Sequence, residues 1–159
     1  MEQTKLERML VLVGEHFDTR NDPTQLDVDE AIVARLLNIH PATVVEFNEG
    51  DGPIMWLIVF PVSKSAMDGF LNGALNETQL FESAEQDKDY SCLYLCSVVM
   101  LEEYRGKGIA FDHTINSIKA IGGSFKIDSL FVWPFEDAGL SLAQKIANEA
   151  GLPLYVKQR

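Results

Sequence analysis

Only two of the 159 residues are cysteine and three are histidine, and 13 lysines and arginines face 24 aspartates and glutamates. Each shortage removes a class of function. Cys92 and Cys96 stand four residues apart, and on one strand that is about 13 Å, beyond disulfide reach. No disulfide framework is expected, and a reduced, cytoplasmic setting follows as the default. No histidine or cysteine cluster has metal-ligand spacing, so no metal is expected. A net charge of −11 opposes nucleic-acid binding, which depends on cations neutralising phosphates, and leaves room for a cationic partner such as an amine. The longest apolar run, PIMWLIVFPV at 53–62, is too short to span a bilayer as a helix, so no membrane is expected. Near the N-terminus, Leu6, Met9, Leu10 and Val13 recur at helical spacing. Glu7, Arg8 and Glu15 interrupt them, which reads as an amphipathic helix and not a signal peptide. No Gly-x-Ser-x-Gly elbow occurs.

What the chain does contain is ordinary globular material, 47% hydrophobic and 23% charged, enough for one domain over 1–159 with a proper core. The pattern alternates between helix and strand. Residues 3–17 and 27–39 read as helices, the second capped by Asp27 or Asp29. Two β-branched and aromatic runs around NEGDG predict a hairpin. Residues 63–84 read as two short helices, broken near Gly69, Gly73 and Asn76. SCLYLCSVVML, 91–101, is continuously apolar, as a strand buried on both faces must be. A helix is expected to run to about Ile121 and stop at Gly122 and Gly123. SFKIDSLFVWPF then reads as a strand, 136–151 as a helix ending at Gly151, and LPLYVKQ as a last strand. No repeat, linker or low-complexity tract appears.

Between the long strand and its helix lies EEYRGKGIAFDH, residues 102–113. Gly106 and Gly108 are poor helix formers flanked by Arg105 and Lys107. Unpaired N–H groups at a helix start attract anions, and glycines let the backbone approach closely. Phosphate or pyrophosphate capture is one reading, and a solvated strand-to-helix turn is the other.

YRGKGIA, directly after an apolar strand, resembles the acetyl-CoA pyrophosphate loop of the GNAT-superfamily N-acetyltransferases. Arg105, Gly108 and Ala110 match the signature of Gln or Arg, two residues, Gly, one residue, then Gly or Ala. The resemblance in motif covers about residues 93–121, and the order of elements extends it to more of the chain. It implies an α/β fold with a central mixed sheet flanked by helices. In that family the strand before the loop bends away from its neighbour. Backbone groups near Val98, Val99 and Met100 would hold the pantetheine arm. Those of Arg105, Gly106, Lys107, Gly108, Ile109 and Ala110 would hold the pyrophosphate. The implied activity is acetyl transfer from acetyl-CoA to a small-molecule amine or a protein amine by direct attack on the thioester. A homodimer is compatible with this reading.

The leaving thiolate needs an acid, and here the sequence departs from the family. Where many relatives carry a Tyr on the next helix stands Ala147, with Leu140 at an Asn position. Tyr94 is the substitute candidate, suited by a reference pKa near 10 to donate a proton; its alternative is a buried aromatic. Cys96 reads as a small core residue and His113 as a satisfied buried histidine. Asp128 could face the acceptor cleft. The acceptor is not legible, and the competing class is a non-catalytic acyl-CoA-binding or regulatory domain. Residues 63–84, outside the minimal family pattern, read either as a hinged cover over the acceptor entrance or as a fixed shield for the sheet.

Overall fold

The computed structural model of the chain describes residues 3–20, 26 and 28–158. Its elements follow in the order α1 (Lys5–Arg20), α2 (Glu30–Ile39), β1 (Val44–Glu49), β2 (Gly52–Val62), α3 (Lys64–Leu71), α4 (Glu77–Gln86), β3 (Cys92–Met100), α5 (Ile109–Ser124), β4 (Ser129–Val132), α6 (Asp137–Ala150) and β5 (Leu154–Val156). The five strands form one mixed sheet in the order β1-β2-β3-β4-β5. The β1-β2 and β2-β3 pairs are antiparallel, whereas β3-β4 and β4-β5 are parallel. The chain is thus an α/β protein with helices on both faces of an open sheet.

Strand alternation assigns the two faces. Leu57 and Val59 of β2 and Leu93 of β3 pack with Ile115, Ile118 and Ile121 of α5, Ile146 of α6 and Met9 of α1. The intervening Ile58, Phe60, Val62, Cys92 and Tyr94 point the other way, onto Leu36 of α2, Met67 and Phe70 of α3, and Leu80 and Phe81 of α4. Both faces being covered explains why β2 and β3 read as unbroken apolar runs. Pro61 is accommodated in β2 because that strand has already outrun β1, whose pairing stops at Val44 opposite Ile58.

The helix pair at 63–84 is present as expected. Asn76 caps α4 by accepting from the Gln79 N–H at 2.8 Å, and Gln79 Oε1 accepts from the Asn76 N–H at 2.9 Å. Met67, Phe70, Leu80, Phe81 and Ala84 are at most 2% exposed. Burying five such side chains contributes roughly 1.5–3 kcal/mol for each large one. The pair therefore packs as a layer against the sheet, the arrangement that the fixed-shield reading expects. Lys157 holds it to the far side of the sheet by donating to the Phe70 carbonyl at 2.8 Å.

Several boundaries differ from the sequence reading. Helix α1 runs from Lys5 to Arg20 and α2 begins at Glu30. Asp29 caps α2 by accepting from the Ile32 N–H at 2.9 Å, and Asp27 lies outside the described residues. Helix α5 does not stop at Gly122 but continues to Ser124, because buried Ile121 ties the last turn to the core and accepts from the Phe125 N–H. Strand β4 is four residues long where twelve were expected. Pro134 accounts for its end: proline has no N–H for a ladder and constrains the residue before it.

Candidate functional site

Strand β3 carries the site because it outruns its parallel neighbour. Cys92 through Leu95 pair with Ser129 through Val132, and there β4 ends. Residues 97–100 keep β2 on one side, and 96–100 have no β4 partner on the other. A bulge sits at the parting, since Ile58 pairs with Ser97 and Val59 with Leu95, leaving Cys96 as the extra residue. Bulges sharpen strand twist and re-aim side chains. The gap is a cleft of about 140 Å³, floored by Leu95 to Val98 and walled by Trp133 to Glu136 and by Leu142, Ala143 and Ile146 of α6.

At the C-terminal end of β3, Leu101 opens a short 3-10 turn, Glu102–Tyr104, and the glycine loop follows. Gly106 has φ +76° and Gly108 φ +80°, a left-handed backbone costing other residues roughly 1–2 kcal/mol each. A Cβ added at either glycine would meet no atom within 4 Å, so the space above the loop is open. Gly108 is also the N-cap of α5, so the first N–H groups of that helix face the same opening without intrahelical acceptors. Thr114 of α5 lines the cleft, which sets loop and cleft about 9 Å apart along the helix axis.

Charge gathers around Tyr104. The Lys107 ammonium lies 5.9 Å and the Lys5 ammonium 5.6 Å from its ring centre. The Tyr104 phenol raises the pKa of Lys5, with Asp51 contributing. Arg105 folds back, its Nε donating to the Met100 carbonyl at 3.1 Å, which fixes the loop to the end of β3. Arg8 of α1 makes a two-pronged pair with Glu103, one bond at 2.7 Å, and holds that carboxyl down at about 2. Among the described residues neither Lys107 nor Arg105 has an acidic partner, although Glu102, Glu103 and Asp112 stand close to the loop in sequence.

The residues expected to hold a cofactor fall on this path. Val98 and Val99 are half-buried on the free stretch of β3, Met100 is buried at its end, and Arg105 to Ala110 form the loop and first turn of α5. Tyr94 does not join them. It is 1% exposed on the opposite face of the sheet, its ring 4.9 to 5.4 Å from those of Phe131, Phe70 and Phe60. Its hydroxyl donates to Glu77 Oε2 at 2.6 Å, and Glu77 Oε1 accepts from the Leu26 N–H at 2.7 Å. Nor does Asp128 reach the cleft: it sits at the opposite, N-terminal end of β4 and accepts from the Ser129 hydroxyl. His113 is half-buried against the ring of Phe47.

Ser97 lines the cleft, and so does Cys96, which is half-buried and packs against the core as expected. Trp133, Phe135 and Glu136 line it too, having been read as an extension of β4 and the start of α6. The available signal was Pro134, which a strand reading of SLFVWPF should have taken as a terminus. Neither a protein-family model nor a curated protein sequence matches this chain.

Proposed function

We propose that the chain is an acetyl-CoA-dependent N-acetyltransferase of GNAT-like fold, acting on an amine by direct attack on the thioester. One observation carries this reading: β3 parts from β4 immediately ahead of a cationic glycine loop that opens a helix. An unpaired strand edge offers N–H and C=O groups to an amide-bearing arm such as pantetheine. The loop offers backbone N–H groups, Arg105 and Lys107 to a pyrophosphate. Open α/β sheets bind ligands at the carboxyl ends of their strands, where this loop lies. The ammonium first loses one proton to solvent; the neutral amine nitrogen then forms a bond to the acetyl carbon, the carbon–sulfur bond breaks, and the second proton lost by the nitrogen balances the one the thiolate gains.

The acid for the thiolate sets the alternative. Ala147 is apolar and buried, and the Tyr94 hydroxyl is engaged with Glu77 on the other face. That arrangement favours, as a second reading, a domain that binds acyl-CoA without turning it over.

Thermal denaturation with acetyl-CoA tests binding. At one hundred times Kd the stabilisation is about 2.7 kcal/mol, which for a chain of this size raises Tm by roughly 5–11 °C. Gly108→Glu should abolish the shift by setting a carboxylate over the phosphate position. An unshifted wild-type Tm at millimolar acetyl-CoA overturns both readings. A shift without thiol release against any amine leaves the binding domain.

A further inference from the structure

We propose that helix α1 completes the anion site of the glycine loop, with Arg8 as a positioning residue that acts through Glu103. Arg8 holds that carboxylate in an ion pair and so lets a phosphate or pyrophosphate approach. This rests on the reading of the loop as an anion site, and it holds equally for a phosphate ligand other than acetyl-CoA.

The loop by itself is poorly suited to an anion. Residues 102–113 carry three carboxylates, Glu102, Glu103 and Asp112, against two cations, Arg105 and Lys107. Asp112 stands in the first turn of α5, where its charge offsets the attraction that a helix N-terminus exerts on anions. Glu103 is two residues, at most about 7 Å of backbone, from Arg105. That is inside the roughly 10 Å over which exposed charges act on one another at ordinary ionic strength.

A distant segment corrects the balance. Arg8, 95 residues earlier in the chain, donates from both terminal nitrogens to the two oxygens of Glu103, one bond at 2.7 Å. A guanidinium that meets both oxygens fixes the direction of a carboxylate as well as its charge. Arg8 also lines, with Leu101 and Glu102, the shallow hollow between α1 and the 3-10 turn, so its charge lies beside a second carboxylate. Lys5, one turn earlier, seats α1 at this corner. Its ammonium donates to the Glu49 carbonyl and lies 3.6 Å from Asp51 and 5.6 Å from the Tyr104 ring centre. With Glu103 neutralised, Arg105 and Lys107 face Glu102 and Asp112 on even terms, and the N–H groups of the loop tip the balance toward an anion.

Isothermal titration of acetyl-CoA and of inorganic pyrophosphate, at about 20 mM and about 200 mM salt, tests the inference. At the lower salt Arg8→Gln should weaken both ligands about 3- to 10-fold, the effect of one unmasked charge near a multivalent anion, and at the higher salt by less. Arg8→Lys keeps the charge and should stay within about 2-fold of wild type. Glu103→Gln should bind as tightly as wild type or tighter, and adding it to Arg8→Gln should recover the lost affinity. The Arg8 and Glu103 side chains are 37% and 48% exposed, so each variant should fold. A brace with no electrostatic part would make both single substitutions weaken binding and the double variant no better. That pattern, or wild-type affinity in Arg8→Gln at the lower salt, overturns the inference. Acetyl-CoA binding that ignores Arg8 leaves the acetyltransferase reading standing and removes this one. The expected pattern with pyrophosphate, and no binding of acetyl-CoA, does the reverse. A wild type that binds neither ligand overturns both.

Discussion

Replacing Tyr94 by Phe separates a structural tyrosine from a catalytic one. The substitution removes a single hydroxyl whose hydrogen bond to Glu77 is 2.6 Å long and inaccessible to water. The ring contacts with Phe60, Phe70 and Phe131 remain. Losing this buried hydrogen bond to a carboxyl group costs about 1–3 kcal/mol. For a chain of this length that lowers Tm by roughly 2–12 °C. Glu77→Gln should cost less, because an amide oxygen can still accept from the Leu26 N–H while its NH₂ meets a rotated tyrosine hydroxyl. The double variant should be less destabilised than the two losses summed, since both act on one hydrogen bond. Calorimetry or urea melts give these numbers. Turnover and acetyl-CoA affinity, measured well below every Tm, should be unchanged in Tyr94→Phe. A tenfold loss of kcat with an unaltered Tm would refute this reasoning and return the hydroxyl to the reacting atoms.

Gly108→Ala should abolish little by sterics, since the space beside it is open, but should lose about 1–2 kcal/mol to left-handed backbone strain; matched melts of Gly106→Ala and Gly108→Ala check it. Gly122→Ala, at an exposed helical position of ordinary φ, should instead raise stability by up to about 1 kcal/mol, read as a higher urea midpoint. Because Arg8 holds the folded Glu103 near 2, below its unfolded value, the pair stabilises above about pH 4.5 and is lost as pH falls toward 2. Acid titration of wild type should therefore show a steeper loss of stability over that window than Arg8→Gln, and parallel curves would contradict the pairing. Phe70→Ala should cost about 3–5 kcal/mol, because the ring is fully buried between α3 and the sheet, and a loss under 1 kcal/mol in urea melts would mean that α3 is a loose cover after all.

Much of the architecture was legible in the sequence because each signal was local. Apolar runs gave β2 and β3, Asn76 gave the break before α4, and Gly151 gave the end of α6. What failed involved competition between distant groups. The glycines at 122 and 123 were outweighed by the burial of Ile121. The apolar phase of β4 concealed the stop imposed by Pro134. The face on which Tyr94 lies could not be read, because β3 is apolar on both faces and its bulge at Cys96 shifts the alternation. The glycine loop was visible because its geometry depends on two glycines and nothing remote. The cleft was not, because it is an absence of pairing between strands separated by a whole helix.

That missing pairing has a consequence for how the protein behaves among its own copies. Unpaired strand edges recruit other strands, and proteins ordinarily hide or interrupt them at the border of a sheet. Here such an edge, residues 96–100, lies in the interior of the sheet, where no charged gatekeeper stands on it. Its protection is architectural: α6 and the Trp133–Glu136 segment wall a slot of about 140 Å³, too small to admit a stranger's strand with its side chains. Loosening α6 would uncover that edge, so damage to this helix should appear as self-association before it appears as unfolding.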